Sequence, residues 1–222
     1  MHWLHSARLI STMSSVDQDP GLRERKKRRT RETIQEAALR LFGERGFAAT
    51  TIADIAAAAD ISPRTFFGYF ASKEAVLFGD SDEAFAAFER ALTEPRGPQT
   101  TALDVLRVWI HAWFGDHPSD PERDRVVHRL KAADPSVAAY ERQLLARFED
   151  AMTAGLAHDL GLETHDVRAR MVAAAAVASL RALEPHDDES CAKDPDDPES
   201  LKVLDDALLF LRSGLAALLP EP

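Results

Sequence analysis

The 222-residue chain is 45% apolar and 29% charged, a globular balance that excludes a disordered chain. At this length roughly 70% of the unfolded surface can be buried without a metal or disulfide staple, and a single cysteine, Cys191, fits a reducing cytoplasm. The net charge of −10 alone speaks against nucleic acid, but residues 1–79 carry 12 Lys and Arg against 9 Asp and Glu, and the remainder 15 against 28.

Residues 1–22 read as a flexible leader ending in Asp19-Pro20-Gly21. Residues 1–12 hold neither the apolar run nor the cleavage site of a secretory signal, and Met13 opens a more ordinary polar leader as an alternative start. The cluster Arg23, Arg25, Lys26, Lys27, Arg28, Arg29 and Arg31 follows. It is an electrostatic footprint suited to phosphates, and equally what a solvated helix start carries. From about Arg25 to Arg45, the residues Ile34, Ala37, Ala38, Leu41 and Phe42 recur at helical steps, and Gly46 stops the helix.

Thr51 with Asp54 predicts a capping box opening a second helix, on which Ile52, Ile55, Ala56 and Ala59 form an apolar stripe. Asp60-Ile61 then turns the chain. Ser62 caps a short third helix with Pro63 at its first position, where a missing N–H is no loss. Within it Phe66 and Phe70 share the buried face, which leaves Phe67 pointing outward. Ser72 caps a fourth helix expected to run to about Thr93. Two helices joined by a tight turn, the second short and polar at its start, form a helix-turn-helix.

Beyond the Glu94-Pro95-Arg96-Gly97-Pro98 break, helices are predicted near 100–115, 121–133, 136–160, 164–183 and 200–218. Pro185 to Glu199 is acidic and proline-rich, and a mobile loop is expected there. No alternating apolar run predicts a strand, and no window of 18 apolar residues predicts a membrane span. The expected fold is all-α with about nine helices, divided into a leader (1–22), a helix-turn-helix domain (23–71) and a larger helical domain (72–222).

Three stretches carry a resemblance: Ala37-Ala38-x-x-Leu41-Phe42-x-x-x-Gly46-Phe47; Thr50-Thr51-Ile52-x-x-Ile55-Ala56-x-x-Ala59; and Ile61-Ser62-Pro63-Arg64-Thr65-Phe66-Phe67-x-Tyr69-Phe70 followed by Ser72-Lys73-Glu74. Together they resemble the DNA-binding domain of the TetR family, nearly throughout that domain. Asp60 stands where such proteins usually carry Gly, and Asp tolerates positive φ better than most residues. Gly68 replaces a larger, often basic or aromatic side chain, so one backbone contact is expected to be missing.

The resemblance implies a transcription regulator whose N-terminal domain binds DNA and whose larger domain binds a ligand and dimerises. The expected function is a repressor bound to a palindromic operator as a homodimer and released by a small apolar or amphipathic effector. An activator, or a ligand-independent helix-turn-helix protein, is the alternative. Double-stranded DNA, the effector and a second copy of the chain are the expected partners; a membrane, cofactor or metal is not expected. No HExxH, phosphate loop or GxSxG suggests an enzyme. His158, Asp159, Glu163, His165 and Asp166 gather around Gly161 but match no metal template.

The start of the third helix should enter the major groove with Ser62 and Pro63 at its tip. Arg64 can donate twice to guanine N7 and O6. Thr65 can reach a base or a phosphate, and Phe67 can meet thymine methyls or sugars. Thr51, Tyr69 and Lys73 are expected phosphate ligands, Thr51 and Lys73 lying at helix starts that favour anions. Two units one helical turn apart require a two-fold dimer. Met171, Val172, Ala175, Ala176, Ala178, Ser179 and Ala182, with Leu201, Leu204, Leu208, Leu211, Leu215 and Leu218, are its expected seam. In TetR-like proteins the equivalent helices pair as a four-helix bundle. Leu106, Trp109, Ile110, Trp113 and Phe148 suit either an apolar ligand site or ordinary core, and His111, His128 and Arg129 could supply its polar groups.

Overall fold

Ten helices, and no strand, make up the described residues of the computed structural model. These are 21–79, 81–97, 99–116, 121–183 and 198–218, with the side chains of 24, 113–116, 121, 122, 183, 198–201, 204 and 218 left out. The leader, Cys191 and most of the acidic stretch lie outside them, as do the side chains of Trp113, Leu201, Leu204 and Leu218. The chain divides into two compact units, residues 1–77 and 78–222.

The first unit holds α1 (Leu22–Arg45), α2 (Ile52–Ala58), α3 (Pro63–Phe66) and α4 (Lys73–Leu77). The predicted stripe of α1 is buried from Ile34 to Phe42, and Phe47, Ile55, Ala56, Phe66 and Phe70 join it. Gly46 ends α1 at φ 82°, and its N–H bonds the Phe42 carbonyl. The tilted Phe42–Phe47 ring pair, 4.9 Å between centroids, then folds the chain back.

The second unit holds α5 (Ser81–Thr93), α6 (Ala102–Asp116), α7 (Pro121–Ala133), α8 (Pro135–Asp159), α9 (Val167–Leu183) and α10 (Pro198–Leu218). The expected single helix from Ser72 to Thr93 is in fact two. Gly79 adopts φ 60°, a left-handed turn that helix cannot follow, and the Ser81 N–H bonds the Phe78 carbonyl at 3.1 Å.

Helix α8 is the spine of this unit, packed against α5, α6, α7 and α9. Asp134 caps it, accepting from the Ser136 N–H, and Pro135 fills the first position. The Phe88 and Phe148 rings stack 4.9 Å apart at 10°, and such pairs contribute about 0.5–1.5 kcal/mol beyond their buried area. Gly155 lets α8 approach closely, since a Cβ there would lie 2.9 Å from Leu92 Cδ2 and 3.3 Å from Ala102 Cβ. Arg96 donates to the Leu92 and Gly155 carbonyls and pairs with Asp159, whose other oxygen accepts from the Ala102 N–H. This ion pair, its side chains only 7% and 14% exposed, fastens the ends of α5 and α8 to the start of α6.

Candidate nucleic-acid interface

The turn between α2 and α3 places one short helix edge in the open. Asp60 takes φ 54°, as the missing glycine requires, and the Ile61 N–H bonds the Ala56 carbonyl at 2.9 Å. Ser62 caps α3 by accepting from the Thr65 N–H at 3.0 Å, and the Ser62 and Thr65 hydroxyls lie 2.7 Å apart. Beyond Phe66 the chain continues in tight turns to Phe70. Phe66 is fully buried and Phe67 is 57% exposed, as their spacing predicts. Pro63, Arg64, Thr65 and Phe67 are all exposed on the same short segment.

A groove runs beside this segment, lined by Leu22, Arg23, Lys26, Lys27, Thr30, Thr65, Gly68 and Tyr69. It joins the basic start of α1 to the end of the recognition segment, a junction the sequence does not announce. Gly68 is its only local hint, and a Cβ there would sit 3.1 Å from the Thr65 carbonyl oxygen.

Two expected DNA ligands, and one residue of the basic cluster, have inward bonds. Thr51 and Asp54 close the capping box: the Thr51 hydroxyl accepts from the Asp54 N–H at 3.1 Å and donates to the Asp54 carboxylate at 2.5 Å. Its donor is thus occupied, and a phosphate there has to displace a carboxylate. That carboxyl is held below its ordinary 3.8 by the Thr51 hydroxyl and backbone N–H. Lys73 is half-buried, its Nζ donating to the Phe47 carbonyl at 2.6 Å and the Thr50 carbonyl at 3.0 Å, over the Phe47 ring. Arg31, counted within the basic cluster, is buried instead; it donates to the Tyr69 carbonyl at 2.8 Å and lies 4.3 Å over the Phe70 ring.

The second unit holds the residues of the other two expected sites. Leu106, Ile110 and Phe148 belong to its buried core, and Trp109 packs between Phe85 and Phe88 while its Nε1 donates to the Ala84 carbonyl. His128 is half-buried on α7. Leu106 and Ile110 also line a void of about 10 Å³ with Ala176, Ser179, Leu180, Ala207, Leu208 and Leu211. That is room for one water and not for a ligand. Of the expected seam, Leu208 and Leu211 are buried in the chain's own core, with Ala175 and Leu215 packed against it; Ser179 bonds the Ala175 carbonyl. Met171 is exposed, together with Val167 on α9 and Val203, Leu209 and Phe210 on α10. Val203 and Phe210, seven apart, are the signal that sequence carries.

Around Gly161, Asp159 is held by Arg96 and Asp166 by Arg168, which draws the Asp166 carboxyl down to about 2. Among the described residues no group of His, Cys, Asp and Glu is placed to hold a metal, and no helix is long and apolar enough to cross a membrane.

A capped, exposed recognition segment carried on a three-helix scaffold beside a basic groove defines a helix-turn-helix DNA-binding regulator. Residues 34–78 match the family described as bacterial regulatory proteins, tetR family. Over 149 residues, 67% of this chain and 75% of the relative, the chain is 30% identical to MftR of Mycobacterium tuberculosis, described as a candidate transcriptional regulator of mycofactocin biosynthesis. It is 49% identical over 76 residues to the HTH-type transcriptional regulator TcmR of Streptomyces glaucescens, a match spanning 34% of that protein's length. The solved complex of SmeT with triclosan shares the fold, with a TM-score of 0.52 and 23% identity over 87% of this chain and 98% of that one. The chain belongs to the TetR family and is a transcriptional regulator rather than an enzyme.

Proposed function

We propose that the protein is a repressor that holds a palindromic operator as a homodimer and releases it when a small apolar or amphipathic effector binds the second unit. The observation that carries the DNA reading is the exposure of Pro63, Arg64, Thr65 and Phe67 while Phe66 and Phe70 are buried. In this reading Arg64 reads guanine, Phe67 meets thymine methyls, and Tyr69 and the groove cations follow the phosphate backbone. Val167, Met171, Val203, Leu209 and Phe210 supply the dimer face. An effector that favours one subunit spacing by about 1–3 kcal/mol shifts operator occupancy several-fold or more.

Selection of bound duplexes from a random pool, followed by a thermal-shift screen of metabolites, tests the proposal. The expected result is a palindrome with half-site centres roughly 34–36 Å apart, and a metabolite that stabilises the protein and loosens its hold on that duplex. Enrichment of no sequence, or of an isolated half-site, overturns it.

A further inference from the structure

We infer that Lys73 and Arg31 are positioning residues, each a cation turned inward to fix one end of the helix-turn-helix. The inference rests on the reading of α3 as the base-contacting element.

The two sites share one geometry. Lys73, the first residue of α4, donates to the Phe47 and Thr50 carbonyls with its ammonium 4.1 Å from the Phe47 ring centroid. Those carbonyls belong to the turn just before Thr51, the cap of α2, and Thr50 is itself tied down by its hydroxyl to the Gly46 carbonyl at 2.8 Å. Arg31, in the middle of α1, donates to the Tyr69 carbonyl with its guanidinium over the Phe70 ring. Tyr69 and Phe70 close the recognition segment. One scaffold helix therefore holds the entrance to α2, and another holds the exit from α3.

A cation on a ring face that also donates to carbonyls loses little by leaving water. It gives a direction as well as an attraction, since the carbonyls fix where the chain passes. Base contacts depend on such placement, because a side chain held about 1 Å loose is present without functioning. Neither residue is spare charge waiting for a phosphate.

Salt separates positioning from contact. A residue that neutralises one phosphate takes about 0.9 from the slope of log affinity against log salt when it is removed, on any sequence. A positioning residue lowers affinity for the chosen sequence and leaves the slope alone. The experiment uses the full chain, the duplex it enriches from a random pool, and a random duplex. Lys73→Met keeps the aliphatic stem over the ring and removes the donors; Arg31→Met does the same for the other end. Both variants should weaken the selected duplex about tenfold or more, the worth of a good bidentate base contact. They should leave the random duplex within about twofold and the slope unchanged, at temperatures where circular dichroism shows a full fold. Should a Met variant fail to fold, Lys73→Gln and Arg31→Lys keep some donors, and an intermediate loss at constant slope supports the inference. A slope lowered by about 0.9 with equal losses on both duplexes makes the residue a phosphate ligand and overturns the inference alone. Unchanged affinity in a folded variant also overturns it. A wild-type chain that enriches no sequence overturns both this inference and the operator reading beneath it.

Discussion

Asp60 occupies φ 54°, a backbone region that costs most L-residues roughly 1–2 kcal/mol and that Asp tolerates better than most. Asp60→Val puts a β-branched side chain there and should lower unfolding stability by about 1–2 kcal/mol, read from urea midpoints. Arg64 is exposed and points to a different kind of loss. Arg64→Ala should remove about 1–3 kcal/mol of binding to the selected duplex while the random duplex barely notices, as fluorescence anisotropy can measure. Asp54 adds a pH dependence. Its folded carboxyl titrates below the ordinary 3.8, first through the Thr51 hydroxyl and then the Thr51 N–H. The capping box therefore contributes above pH 3.8 and fades as pH falls through the lower folded value. The melting temperatures of wild type and Asp54→Asn should differ near neutrality and converge in acid; a constant difference contradicts the capping role.

Helix ends were readable where local chemistry sets them. Pro121 opens α7 and Asp134-Pro135 opens α8, so their spans follow from sequence almost to the residue. The division between α4 and α5 was not, because buried residues from Ala75 to Leu77 and again at Phe88 keep the helical rhythm on both sides of Gly79. The recognition segment was legible in the same way: Phe66 and Phe70 point in, Phe67 out. Which charges face inward was not legible. Lys73 and Arg31 look like their neighbours in the sequence, and only the folded chain brings Phe47, Thr50 and Tyr69 to them. Gly155 gives the packing of α8 a direct check. Gly155→Val pushes methyl groups against Leu92 and Ala102, and overpacking of this kind should reduce stability by about 1–3 kcal/mol in denaturant melts.

The acidic excess of the chain falls after residue 79, a balance that disfavours contact of that part with phosphates. The proposed dimer face and effector site are the least legible in the sequence, since apolar stripes and aromatic clusters look alike whether they pack within one subunit or wait for another molecule. The exposed Phe210, at 66%, separates the two. Phe210→Asp should sediment as a monomer at concentrations where wild type is paired, with weaker binding to the palindrome and normal melting; a persistent dimer places the interface elsewhere. The Arg96–Asp159 pair is almost closed to solvent, and ions screen such a pair far less than contacts at an open DNA surface. Raising the ionic strength should thus strip the regulator from its duplex long before it loosens the joint between α5, α6 and α8. A column eluted with salt should therefore return a protein whose second unit has never come apart.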